Sequence, residues 1–330
     1  MISYILRRIL YMIPMMIIIS MVSFALIQLP PGDAMTYYEM RLREQGQSDV
    51  AMEMLDKMRE RYGLDKPLPV QYWNWVKGFP RGDFGVSMVY QGLSVASIIG
   101  ERLLITVIVS VAALIISWGL AIPIGIYSAT HKYTKADYAL SFFAFVGMAI
   151  PHFMLAMLLM FFWVFVLGNT SVGGLFSPEY QEAAWSWAKF LDLLIHLPIP
   201  VIVLGLATLA GTMRVMRGNL MDVLDQQYVM TARAKGLKER KVVFKHAVRI
   251  AINPLISRLG LELPNLLSGS IIVSIVLSLP MLGPIFQRAL SGQDMYLAGT
   301  ILLMLSWTLL LGNLIADILL AWADPRIRLD

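Results

Sequence analysis

Residues 228–257 read YVMTARAKGLKERKVVFKHAVRIAINPLIS. The stretch is basic and helix-prone. Small residues crowd its first part (Ala232, Ala234, Gly236), Lys and Arg follow, and Pro254 closes it. Long apolar segments lie on both sides. So charged a stretch does not cross a hydrocarbon core, so it has to lie at a membrane surface. The small side chains let another protein's surface approach the backbone, and Arg233, Lys235, Lys238, Arg240 and Lys241 supply charge complementarity. The same residues also suit a basic amphipathic helix attracted to anionic lipid. On their own they leave these two readings level.

The composition around it is that of an integral membrane protein. The 330 residues are 58% hydrophobic and only 15% charged, with a mean hydropathy of +0.67. A soluble domain carries about a quarter charged residues. The absence of Cys excludes disulfide frameworks, thiolate catalysis and thiolate metal sites. The net charge of +5 sits beside apolar spans, where it reads as a topology signal and not as a nucleic-acid footprint.

Six segments reach the roughly 20 helical residues that a core of ~30 Å requires. They are Ile9–Leu29, Leu103–Tyr127, Ala139–Leu167, Leu193–Met213, Leu259–Leu279 and Leu297–Ala323. Arg7 and Arg8 precede the first, but its apolar run is too long for a signal core, and it reads as a retained span. Lys and Arg concentrate on one side: Arg7 and Arg8, Lys132 and Lys135, ten between Arg214 and Arg258, then Arg326 and Arg328. The short loops of the other side hold only Lys189 and Arg288. The positive-inside rule then puts both termini in the cytoplasm. Three regions are expected: residues 1–29 with the first span, a partly helical extracytoplasmic loop 30–101, and a core 102–330 containing the basic loop 214–258.

In the outer loop Ser48 can cap a helix whose Ala51, Leu55, Met58 and Tyr62 share one face, ending at Gly63. Val70–Phe79, with Tyr72, Trp73 and Trp75, is expected to lie at the membrane–water interface or to form part of an external gate or docking surface.

No phosphate-binding G-x-x-x-x-G-K-[ST], H-E-x-x-H or G-x-S-x-G occurs, and the four histidines (His131, His152, His196, His246) are scattered. Transport or scaffolding is the reading that remains, with no catalytic or metal-binding residue expected. An ion pathway would use His152, Glu262 or Asp317. Glu262 and Asp317 are better read as reaching the interface or pairing with Arg, and His152 as packed beside a bend at Pro151. The fifth span is the most polar, with Asn265, Ser268, Ser270, Ser274 and Ser278. Ser270, Ser274 and Ser278 fall on one helical face, which serves either close packing or a polar stripe along a translocation path.

Several blocks together resemble a known family. They are TARAKG at Thr231–Gly236, LPPGDA at Leu29–Ala34, RYGLDKPLPVQYWNWVKG with RGDFGVS across Arg61–Ser87, MRGNLMDVLDQQYV before the basic loop, and ADPRIRLD at the end. The chain resembles the first permease subunit of ATP-binding-cassette (ABC) importers of the dipeptide/oligopeptide/nickel family. Departures are Met230 where Arg is frequent, Arg249-Ile250-Ala251, Pro280-Met281-Leu282-Gly283 and Gln293-Asp294-Met295-Tyr296.

The resemblance implies an all-α, six-span permease forming half of a path, in the inner (plasma) membrane of a prokaryote. Its partners would be a second homologous permease, two cytoplasmic ABC ATPase subunits, an extracytoplasmic solute-binding protein and the lipid bilayer, with no nucleic acid. It would bind no cofactor itself, ATP and Mg being held by the ATPases. The coupling loop would comprise Thr231, Ala232, Arg233, Ala234, Lys235, Gly236 and Leu237, seated in a cleft on an ATPase. The cargo would be a small polar oligomer, a di- or oligopeptide first and an oligosaccharide or other solute second. A stand-alone ion-coupled carrier is the rival from another class.

Overall fold

The computed structural model describes residues 2–32, 34–36, 39, 49–90, 92–168, 173–181 and 183–323. The principal helices are α1 (Ile2–Gln28), α2 (Asp49–Tyr62), α3 (Leu68–Val76), α4 (Val95–Thr130), α5 (Lys135–Ala149) and α6 (His152–Phe165), followed by α7 (Trp187–His196), α8 (Pro198–Leu224), α9 (Gln227–Ala234), α10 (Asn253–Val276), α11 (Leu282–Ser291) and α12 (Met295–Ala323). Among the described residues the only β pairing is one isolated bridge, Val86 to Ser94.

Among the described residues four stretches are long and apolar enough to cross a membrane: Ile5–Gln28, Val95–Thr130, Pro198–Leu224 and Met295–Ala321. Two bent pairs bring the number to six if each is one span: α5 with α6, bent by 103°, and the two parts of α10, bent by 46°. The expected third span, Ala139–Leu167, is therefore not one rod. Ile150 is extended (φ −81°, ψ 126°), as a residue before proline prefers, and Pro151 starts a new helix. The 15 residues of α5 reach only about 22 Å. The fourth segment is displaced as well, since its helix begins at Pro198 and runs to Leu224. Arg326 and Arg328 lie outside the described residues, as does the ADPRIRLD block beyond its first residue.

Two compact units share the chain. One comprises residues 1–9, 106–280 and 308–330, the other 10–105 and 281–307. In the first, α8 is the central helix, burying Val203, Leu204, Met213, Met216 and Leu220. Small residues allow close approach, as small-residue packing in membranes requires. A Cβ on Gly125 would come within 2.8 Å of Met216, and one on Gly260 would collide with Asn313. At the other end of this packing Thr134 caps α5, and Asp137, almost fully buried, takes two bonds from Arg217 of α8 (2.9 and 3.2 Å).

In the second unit α2 ends as its sequence leads one to expect. Gly63 has φ +68°, its N–H bonds the Glu60 carbonyl at 3.0 Å and the Leu64 N–H bonds that of Arg59 at 3.0 Å, a Schellman stop. Leu55, Met58 and Tyr62 share one packed cluster with Met35 and Met88, while Ser48 and the side chain of Ala51 lie outside the described residues. The aromatic segment is divided between core and surface. Trp75 is buried and, with Tyr72, packs against Phe24, leaving Trp73 exposed. Asp294, fully buried before α12, accepts bonds from Ser87 Oγ, Met88 N and Val89 N through one oxygen and from Leu297 N through the other.

Candidate functional site

The basic loop is folded into a sharp corner. Asp225 ends α8, Gln226 is extended and α9 follows. α9 stops because Gly236 adopts φ +73°. Its N–H bonds the Arg233 carbonyl (2.9 Å) and the Leu237 N–H reaches back to that of Ala232 (3.4 Å), the paired bonds of a Schellman motif. A further turn, Glu239–Lys241, leads through π-helical Val242–Ala247 and Val248–Ala251 into α10. Across the corner Arg233 clamps Glu239, with Nη2 to Oε1 at 2.7 Å and Nε to both oxygens at 3.2 Å. The Arg233 bond holds the Glu239 carboxyl below the usual carboxylate range, and Glu239 in turn raises Arg233. The pair therefore stays charged through neutral and mildly acidic pH.

The corner is anchored by its own apolar face. Val229, Ala232, Val242, Val243 and Ala247 are buried with Met216 and Leu220 of α8, Ile126 and Ala129 of α4, and Leu255 of α10. Each fully buried Val contributes roughly 1.5–3 kcal/mol. The loop is thus attached to the ends of three long helices and cannot swing separately from them. An open groove of about 760 Å³ runs beside it, lined by Tyr127, His131, Met221, Arg233, Glu239 and Phe244 among others.

The structure separates the seven expected loop residues. Thr231, Ala234, Lys235 and Gly236 are exposed, and Leu237 is half-buried against the apolar cluster. Ala232 differs from Ala234 and Gly236: its methyl packs into the chain's own core. Arg233 is exposed too but is paired with Glu239, and Lys235, Lys238, Arg240 and Lys241 form the rest of the exposed basic rim. Nothing near Gly236 would touch an added Cβ.

The polar stripe of the fifth span also divides. Ser270 and Ser274 are buried and donate to the carbonyls of Leu267 (2.6 Å) and Ile271 (2.7 Å). Ser278 lies beyond the end of α10, in a turn with φ +52°, and does not extend the helical face. Asn265 and Ser268 are exposed on the opposite wall, in register with exposed Leu261, Ile272 and Ile275. Two of the three ionisable candidates in the spans are paired. Arg258 lies 3.6 Å from Glu262 and Arg8 3.2 Å from Asp317, while His152 opens α6 after the bend.

Two features escape sequence reasoning. The Arg233–Glu239 clamp joins residues six apart across a left-handed glycine, which no helical spacing signals. Asp294 is one acid among 22, and only the fold brings Ser87 to it.

Comparison with known proteins agrees with this architecture. Residues 121–329 match the family described as "Binding-protein-dependent transport system inner membrane component", and residues 1–100 match the N-terminal region of such membrane components. The oligopeptide transport system permease protein AppB of Bacillus subtilis is 37% identical over 328 residues, 99% of each chain. OppB of Salmonella typhimurium is 29% identical over 334 residues, 99% of this chain and 100% of that protein. The MetNI methionine ABC transporter, in inward-facing form, shares the fold with a TM-score of 0.53 at 16% identity, over 69% of this chain and 96% of that one. The chain belongs to the binding-protein-dependent transport system inner membrane components: it is a multi-pass permease of an ABC importer, a transport component whose ATPase resides in separate subunits.

Proposed function

We propose that this chain forms half of the translocation path of an oligopeptide importer and is driven through the corner at Gly236. The coupling half of the reading is carried by the corner itself. It is a preformed elbow, with an exposed edge of Ala234, Lys235 and Gly236, fixed by its apolar face to α4, α8 and α10. A push on that edge moves the helices as a body, the rigid-element motion that alternating access uses. The cargo half is supported by the oligopeptide permeases that resemble the chain over nearly its full length. In this reading there are six spans, α5 and α6 together counting as one, with both termini and the corner cytoplasmic and residues 30–101 outside. Asn265 and Ser268 face the path or the second permease, and Ser270 and Ser274 do not. Two ABC ATPases with ATP and Mg, a second permease and a solute-binding protein complete the assembly, in a prokaryotic inner membrane.

The test is to purify the chain from its native membrane with whatever accompanies it and to assay peptide uptake in proteoliposomes. Stoichiometric P-loop ATPases and a second permease, with uptake that requires ATP, are expected. A chain that purifies alone and moves solute without ATP would overturn the reading. ATP-driven uptake of oligosaccharide but not peptide would overturn the cargo alone.

The clamp makes a separate prediction. Arg233→Glu or Glu239→Arg should lower uptake by about fivefold, the ~1 kcal/mol upper range of an exposed ion pair. The double charge swap should restore it. If each single variant transports normally, the clamp does not position the corner.

A further inference from the structure

The short helix α7 has its polarity inverted. Its inward face carries Lys189, Asp192 and His196, and its outward face carries Trp187, Phe190, Leu191, Leu194 and Ile195. Lys189 is 3% exposed while Trp187 is 73% and Ile195 56% exposed. The inward polar groups are all engaged. Lys189 Nζ donates to the Ala183 carbonyl (2.7 Å) and lies over the rings of Phe176 (4.9 Å) and Trp185 (5.4 Å). Asp192 accepts from Ser177 N and Oγ, both at 2.7 Å, and His196 Nδ1 lies 2.8 Å from the Asp192 carbonyl. A surface helix in water places its apolar stripe inward and its charges outward. This one does the reverse, so its outer face meets a medium other than water.

The chain says which medium. Leu197, with φ −64° and ψ −33°, closes α7 and opens α8, itself long and apolar enough to cross a membrane. The exposed stripe is therefore continuous along the chain with a membrane-crossing helix. Ten residues reach only about 15 Å, too short to span, and Trp187 with Trp185 are side chains that favour the lipid–water boundary. α7 also holds something. Ser177 ends a strap whose Leu175 and Phe176 are buried and whose Gly174 N–H bonds the Leu277 carbonyl at the end of α10 (2.8 Å). Gly173 approaches that carbonyl so closely that an added Cβ would stand 2.8 Å from it.

We propose that α7 is a lipid-embedded anchor, its apolar face resting in the bilayer surface and its Asp192 holding the strap 173–177 on the end of α10. This needs the membrane assignment but not the peptide reading, so it stands or falls independently of the cargo. The chain has no Cys, so single cysteines carrying a nitroxide report one site each. In the assembled importer reconstituted in lipid, labels at Leu191→Cys and Ile195→Cys should collide freely with oxygen and poorly with an aqueous nickel chelate. A label at exposed Arg81→Cys should show the opposite. Ready collision with the chelate at 191 and 195 would place α7 in water, and poor collision with both reagents would place it against protein. Either result overturns the proposal. For the strap, Asp192→Ala should sharpen the spectrum of a label at Glu179→Cys, and an unchanged spectrum would show that Asp192 does not hold it.

Discussion

Gly236→Trp is expected to bring ATP-driven uptake to background while membrane insertion and yield stay at the wild-type level. The argument rests on two properties that the glycine combines. Its φ of +73° is the left-handed conformation that ends α9, and the space around its α-carbon is open within the chain. A Cβ there meets nothing of its own protein, and folding bears a backbone strain of roughly 1–2 kcal/mol for a non-glycine residue. A large side chain would instead stand off any surface that docks on the corner.

The two contributions separate in a series. If backbone conformation alone matters, Asn, which tolerates the left-handed region, should transport better than Ala. If the open space is needed, loss should follow size, with Ala mildest, Asn intermediate and Trp complete. Uptake and ATP hydrolysis measured on the same proteoliposomes read this directly, and retained ATPase activity with lost uptake would mark uncoupling. Wild-type uptake by Gly236→Trp would remove the corner from the coupling surface.

How much of this is legible in the sequence depends on whether the signal is local. Long apolar runs announce membrane spans because burying backbone in lipid demands helices of a minimum length. Gly63 announces a helix end because few other residues adopt the required φ, whereas Gly236 reads only as one small residue among several. Pro151 marks where α5 and α6 part, yet nothing local encodes a bend of 103°. Facing is harder still. Ala232 and Ala234 are the same residue two apart in one small-and-basic run, and only the fold of Val242–Ala247 onto α8 decides which is buried. The hydroxyls of α10 are equally ambiguous. A serine suits close packing and a polar path alike, and the choice between Ser270 and Ser268 is made by neighbours distant in sequence. The inverted polarity of α7 is visible in its heptad pattern, but reads as an ordinary amphipathic helix until its buried side is known.

Asp294→Ala should be the most damaging substitution in the second unit, destabilising it by at least about 4 kcal/mol. The carboxylate is fully buried and receives four donors: Ser87 Oγ at 2.5 Å, Met88 N at 2.8 Å, Val89 N at 3.0 Å and Leu297 N at 3.0 Å. Truncation removes the acceptor shared by three backbone N–H groups and a hydroxyl, and each such loss costs about 1–3 kcal/mol where water cannot replace it. One of the four is the Leu297 N–H, so the loss includes the side-chain cap on the first turn of α12. Asp294→Asn tests the division. Its one carbonyl oxygen can keep Ser87, Met88 and Val89, but its amide then faces the Leu297 N–H, so the variant should lose the cap and retain most of the rest. Thermal unfolding of the detergent-purified protein should therefore rank wild type above Asn and Asn well above Ala. Should Ala melt with wild type, segment 87–89 is held by the apolar cluster of Met88 with Leu55 of α2 and Tyr296 of α12, and the carboxylate is dispensable.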